Sequence, residues 1–373
     1  MSGGIRRRAT AVANLKTTKN ILILDNGGLV AGQSRQDELK VEALAEALKE
    51  MRVDAINLGA EEAKLGMGEL LSIQMLSGNK LVCTHLTEPS EAKVKPFIAK
   101  GPYLVGGVTT QPELVGAALE VKTIGVDAAV TRLETESVKR KLKPILLFQG
   151  PEDEAIRLAK KYRTLVMIVH RSAGDPPVSM RSEGKTALVT PAEFGKFVVT
   201  IKLSRGVASD YKTINLLPEF KDDASVADLY KNYLMRVSEE KLLEQLPRQD
   251  TAEYAGPETC RKCHPGPYDV WSKSDHANAL ASLEKVGHDR DPDCVSCHVT
   301  GLNSKQGFTT RTETPDLARV GCESCHGPQK AHSKDPHNVK PDHKNRQKCS
   351  SCHDTGHSPN FSFIPYWQKI THR

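Results

Sequence analysis

Apolar residues are distributed in two different ways along the chain. Up to about residue 250 they fall in short runs, at 20–25, 55–58, 81–84, 144–148, 165–170, 187–190 and 197–203. Runs of this length bounded by turn residues predict buried strands. Between them the spacing changes to that of a helix. Residues 36–51 place Leu39, Val41, Leu44, Ala45 and Leu48 on one face, and 225–245 do the same with Val226, Leu229, Tyr230, Tyr233 and Leu234. Strands alternating with helices predict a sheet covered by helices. Residues 246–257 carry Pro, Gly and charge and read as a linker. Beyond them the periodicity fades, and Gly, Pro, Asp, Lys and His dominate. A segment this polar is not expected to build an ordinary apolar core, but a large apolar cofactor would supply one. The pattern therefore predicts two domains, 1–250 and 251–373.

Composition sharpens that division. Of nine cysteines, eight follow residue 259, as do eleven of thirteen histidines. The first domain holds only Cys83, His85 and His170. Cys83, in an apolar run, reads as a small buried hydrophobe. The net charge of +6 is too small to argue for nucleic acid. No stretch of 18 apolar residues is present, so no membrane-spanning helix is expected.

The concentrated residues form four copies of one motif: Cys260-x-x-Cys263-His264, Cys294-x-x-Cys297-His298, Cys322-x-x-Cys325-His326 and Cys349-x-x-Cys352-His353. Two thiols at this spacing can form thioethers to the two vinyl groups of one porphyrin. The next residue then supplies an imidazole to the iron. Two zinc ribbons or disulfides are the alternatives. Zinc has no need of a His after every second Cys, and all four copies have one. Four haem c groups are the expectation, with His264, His298, His326 and His353 as proximal ligands. Seven further histidines, at 276, 288, 332, 337, 343, 357 and 372, could supply sixth ligands.

Several longer stretches carry a resemblance. They are Tyr254-Ala-Gly-Pro-Glu-Thr-Cys260, Asp275-His276-Ala-Asn-Ala, Asp291-Pro-Asp-Cys294 through Gly301, Cys322-Glu-Ser-Cys-His-Gly-Pro328 with His332, and Tyr366-Trp-Gln-Lys-Ile-Thr-His372. Together, residues 254–373 resemble the tetrahaem cytochrome c-554 family. The resemblance implies haems packed in close pairs, with distal ligands drawn from other motifs' neighbourhoods. It implies that His332 caps the first haem, His276 the third and His372 the fourth. The second, on His298, is five-coordinate in the family type, although His288, His337, His343 and His357 are extra here.

Residues 3–250 resemble a second family, the 5′-nucleotidase-like metallophosphoesterases. The match lies in Gly3-Gly-Ile-Arg-Arg-Arg-Ala-Thr, Ile21-Leu-Ile-Leu-Asp25-Asn-Gly-Gly28, Val53 through Gly59, Val166-Met-Ile-Val-His170, Gly195-Lys-Phe-Val and the Tyr211 strand. It implies a four-layer α/β/β/α sandwich. A two-metal site needs several Asp and His ligands at strand ends. Here the Asp-x-Gly-Asp motif ends in Gly28, and Gly-Asn-His-Glu reads Gly59-Ala60-Glu61-Glu62. Only Asp25 and His170 persist, so a scaffolding or docking domain is expected. Glu61 and Glu62 are expected to be solvated. Arg6–Arg8 is expected as a solvated edge that could attract an acidic redox partner.

The expected function is electron transfer between redox partner proteins in the periplasm or outside the cell, by a carrier rather than an enzyme. The first alternative is an oxidoreductase acting on a small ligand, such as a nitrogen oxide, at an open iron on His298. The second is a metal-dependent nucleotide phosphohydrolase. Met1 opens onto Ser-Gly-Gly-Ile-Arg-Arg-Arg with no apolar segment behind it. Haem attachment of this type takes place outside the bacterial inner membrane, so an export segment removed from this sequence is expected.

Overall fold

A computed structural model describes residues 4–15, 20–193, 195–341, 348–354, 357–358 and 360–372. Gly3 and His343 lie outside the described residues. The chain divides into two compact units, residues 2–233 and residues 234–373.

Two sheets build the sandwich of the first unit. Leu24–Asp25, Ala55–Asn57 and Leu81–Val82 form a three-stranded parallel sheet in that order. The second sheet has the order Phe97–Lys100, Tyr103–Thr109, Lys143–Gln149, Met167–Val169, Thr186–Val189, Arg181–Glu183. Its four inner strands are parallel, and each edge strand is antiparallel. Three apolar clusters separate four layers. Ala55, Val82, Val105, Ile145 and Leu147 fill the space between the sheets. Val41, Leu48, Ile56, Leu70 and Leu81 pack helices onto the outside of the small sheet. Val130, Leu133, Phe148, Leu158 and Ile168 do the same for the large one. This is the expected α/β/β/α sandwich, and strands buried on both faces explain the near-continuous apolar runs.

The helix expected at 36–51 is Arg35–Glu50. Ser34 caps it by accepting from the Asp37 N–H at 3.3 Å, while Asp37 accepts from the Ser34 N–H at 2.9 Å. This reciprocal capping box fixes the start. The helix expected at 225–245 is Ala224–Glu239, with Val226 and Tyr233 buried. The first strand is shorter than its apolar run because the Ile23 N–H bonds to the Asp54 carboxylate at 3.0 Å instead of a neighbouring strand. The run at 197–203 is strand Phe197–Ser204, which forms a separate hairpin with Val207–Asn215.

The second unit is built differently. Its helices are short, among them Pro257–Arg261, Pro265–Ser272 and Cys322–His326. It does hold one small apolar cluster, contrary to expectation, with Leu243, Leu280, Val295, Val299 and Phe308 at its centre. Past residue 320 no apolar side chain among the described residues belongs to the buried core, and Phe363, Ile364 and Trp367 are exposed. The expected linker also carries structure. Asp250–Glu253 pairs in parallel with Ser304–Gln306. Its alternating half-buried and exposed pattern lacks the apolar residues that mark a strand in sequence. No helix among the described residues is long and apolar enough to cross a membrane.

Phe148 is fully buried beneath the outer helices of the large sheet. Phe148→Ala is expected to cost the first unit about 3–5 kcal/mol, read as a lower denaturation midpoint by circular dichroism.

Candidate haem sites and a strand-end network

The four motifs meet in pairs. The Cys260 and Cys322 side chains are neighbours, as are those of Cys297 and Cys352. The first motif is thus beside the third, and the second beside the fourth. Among the described residues no group of three or more His, Cys, Asp or Glu side chains converges as a zinc centre would require.

The imidazoles also pair. His276, in the 3₁₀ turn Asp275–Asn278, has its ring centre 6.1 Å from that of His353. His372 lies 5.9 Å from His326. Two metal–nitrogen bonds of about 2 Å each, with a ring radius beyond each nitrogen, put coaxial imidazole centres about 6 Å apart. Both pairs lie at about that separation. His276 thus lies beside the fourth motif and His372 beside the third, whereas the resemblance assigns them to the third and fourth haems. Sequence spacing could not decide this, because both contacts are long-range and depend on how the chain folds back.

Hydrogen bonding fixes which ring nitrogen is available. The Nδ1 of His298 lies 2.7 Å from the Ala279 carbonyl, that of His332 2.6 Å from Val339 O, and that of His372 2.8 Å from Ile370 O. A carbonyl can only accept, so each Nδ1 carries the proton. Each Nε2 lone pair is left free, as in histidines that ligate metals. Burial, reinforced by neighbouring His353, holds His276 below the ordinary histidine range, and burial does the same to His353. Both shifts favour the neutral ring. Of the extra histidines, His357 is held by Asp354 at 2.9 Å. His288 places Nδ1 3.9 Å from Cys294 Sγ, beside the second motif.

In the first unit all parallel strands end at one edge, where ligands of open α/β sheets bind. Asp25 there accepts from the Gly27 N–H at 2.9 Å and pairs with Arg8 at 3.5 Å. Gly28 has φ +70°, and a Cβ on it would come within 2.2 Å of Arg171 Nη2. The guanidinium therefore occupies the ground beside position 28. Arg171 Nη1 pairs with Glu61 at 2.5 Å, and Nη2 lies 3.4 Å from Gln149 Oε1. Gln149 fills the space against Gly59, where a Cβ would approach its Oε1 to 1.6 Å. Glu62 is fully buried and accepts from the Leu29 N–H at 2.7 Å and the Gly59 N–H at 3.2 Å. The acid pair is therefore not the solvated pair that the sequence predicts. Glu62 serves the backbone, and Glu61 serves Arg171, a residue that no motif singled out. His170 is 2% exposed, with Nδ1 2.9 Å from Arg171 O. Cys83 is fully buried, and burial pushes its thiol up to about 12. The Arg6–Arg8 run opens the helix Ile5–Leu15, and Arg6 meets Asp222 at 2.9 Å in a partly exposed pair.

The family description "Cytochrome c554 and c-prime" matches residues 259–327, which include the first three motifs and stop before the fourth. Cytochrome c-554 of Nitrosomonas europaea is 36% identical over 92 residues, covering 21% of this chain and 39% of that protein. The C-terminal region therefore carries a cytochrome c554 family domain. The chain spans well under half the length of that relative. Solved structures resemble the chain as folds. The 5′-nucleotidase precursor from Thermus thermophilus superposes with a TM-score of 0.54 at 17% identity, covering 77% of this chain and 62% of its own. Haemophilus influenzae NAD nucleotidase gives 0.54 at 16% identity, covering 69% and 58%. The N-terminal region thus has a 5′-nucleotidase-type metallophosphoesterase fold.

Burial pushes the Glu61 carboxyl up, but the Arg171 hydrogen bond and charge outweigh it and leave it below the ordinary range. The resulting stabilisation is present above the unfolded-state pKa of about 4.3 and is lost as pH falls through the lower folded value. Arg171→Met is expected to cost about 0.5–1 kcal/mol at neutral pH, since the pair is partly exposed. It should also weaken the stability loss on acidification. Urea midpoints of both proteins at pH 7 and pH 3.5 check this.

Proposed function

We propose that the chain is an exported electron-transfer protein whose C-terminal unit holds four haem c groups. Cys260 and Cys263, Cys294 and Cys297, Cys322 and Cys325, and Cys349 and Cys352 would carry the thioethers. His264, His298, His326 and His353 would be the proximal ligands. His353 would pair with His276, His326 with His372, and His264 with His332. When bound, each haem c supplies a one-electron ferric/ferrous couple. The observation that carries the reading is the two imidazole pairs at 6.1 and 5.9 Å, each joining a motif histidine to a distant one.

The chain's own residues do the rest. The Ala279, Val339 and Ile370 carbonyls orient rings by holding the Nδ1 protons, so the imidazoles need not rearrange when charge changes. The pairing of motif one with three and two with four keeps the attachment points close, as relay between cofactors requires. Family membership supports haem c, while the count of four rests on the motifs. Redox partner proteins would give and take the electrons, and the periplasm is the compartment where such attachment chemistry fits.

We read residues 2–233 as a scaffold or docking unit. The Arg171 guanidinium, paired to Glu61 and lying beside Gly28, takes the ground a metal-bridging carboxylate would need. Nucleotide hydrolysis dependent on added manganese is not expected.

Low-spin bis-histidine haems should dominate the electron paramagnetic resonance spectrum. His276→Ala and His372→Ala are each expected to convert one haem of the four to a high-spin species. Unchanged spectra in both variants would contradict the ligand assignment. A wild-type high-spin haem that binds nitric oxide would identify an open iron at the second motif and move the reading towards small-ligand reduction.

A further inference from the structure

One side chain in the C-terminal unit is placed as neither ligand nor attachment point, yet it is tied to two motifs at once. Glu323 follows Cys322 in the third motif and is only 2% exposed. Its Oε1 accepts from the Ala255 N–H at 2.9 Å and the Gln329 N–H at 2.8 Å. Its Oε2 accepts from Ala255 N–H at 3.0 Å and Gly256 N–H at 2.8 Å. Every partner is a backbone donor, an arrangement that an ionised carboxylate satisfies through both oxygens. Ala255 and Gly256 lead directly into Pro257–Arg261, the helix that carries Cys260. Gln329 follows the turn that closes the third motif. The carboxylate therefore joins the first motif's helix to both ends of the third. Its charge is also felt at the Cys260 and Cys322 thiols.

We propose that Glu323 is a positioning residue that clamps the first and third motifs together. We further propose that its fixed buried charge lowers the reduction potentials of the two haems attached there. This deepens the cytochrome reading and rests on it. A neutral structural clamp could have been built from Gln, but Gln offers one acceptor oxygen and two donor hydrogens to three donors. A carboxylate satisfies all three and adds a negative charge in a medium where water screens little. A negative charge near an iron favours the ferric over the ferrous state, because the ferric ion carries the larger positive charge. The haems of the second and fourth motifs have no such contact with Glu323 and should be little affected.

The test uses the full, haem-loaded chain. Intact mass first establishes that wild type carries four haems; if it carries none, the cytochrome reading fails before Glu323 is at issue. Redox titrations followed optically then compare wild type with E323Q and E323D. The expected result is a positive shift of two of the four midpoint potentials in E323Q, with the other two unmoved. E323D, which keeps the charge, should retain most of the lowering. Should E323Q lose haem, peptide mapping is expected to place the loss at the first and third motifs alone. Fully loaded E323Q with unchanged potentials would overturn the proposal. So would a uniform shift of all four, or haem loss centred on the second or fourth motif.

Discussion

The C-terminal unit has little apolar surface with which to hold itself together. Its apolar cluster among the described residues draws on residues between Leu243 and Ala318, and the stretch beyond leaves Phe363, Ile364 and Trp367 exposed. What brings its distant parts together instead is polar and local to the motifs: thiol beside thiol, imidazole opposite imidazole, one carboxylate gripping three backbone amides. Each contact links segments far apart in sequence, His276 to His353 most of all. Such contacts contribute little as bare side chains in water. They make physical sense as the walls and ligands of large apolar cofactors, which would supply the core that the sequence lacks.

The N-terminal unit solves the opposite problem. Its three apolar clusters are ample, and its parallel strands deliver polar residues to one edge, where the same fold elsewhere is found in nucleotidases. Here that edge is closed by its own side chains. Arg171 brings a positive charge to Glu61, and Gln149 reaches over Gly59. Buried Asn57 donates to the Val108 and Leu147 carbonyls at 3.1 Å. A guanidinium on a flexible stem neutralises one carboxylate without demanding the several convergent ligands of a dinuclear centre.

The sequence made some of this legible and not the rest, for physical reasons. Four Cys-x-x-Cys-His motifs are local and chemically constrained, so they can be read directly. Apolar runs located the inner strands, since a strand buried on both faces cannot be polar. The strand Asp250–Glu253 escaped because its register is set by a partner fifty residues away, not by its own apolar pattern. The helix starting at Ile5 turns Arg6 and Arg8 towards Asp222 and Asp25, contacts that a run of three arginines does not announce. The nearness of His276 to the fourth motif and of His372 to the third has the same origin. Spacing gives the supply of ligands, but only the folded chain gives their destinations. Arg171 could have been found from the missing carboxylate at Gly28, by asking which nearby cation would neutralise Glu61.

The central claim is that porphyrins are joined to these thiols. Intact-mass measurement of the exported, matured protein, followed by peptide mapping at Cys260, Cys294, Cys322 and Cys349, tests it most directly. The account predicts an added mass of four haems, with one modified peptide per motif. A chain of unmodified mass, or one holding zinc on free thiols, would contradict it.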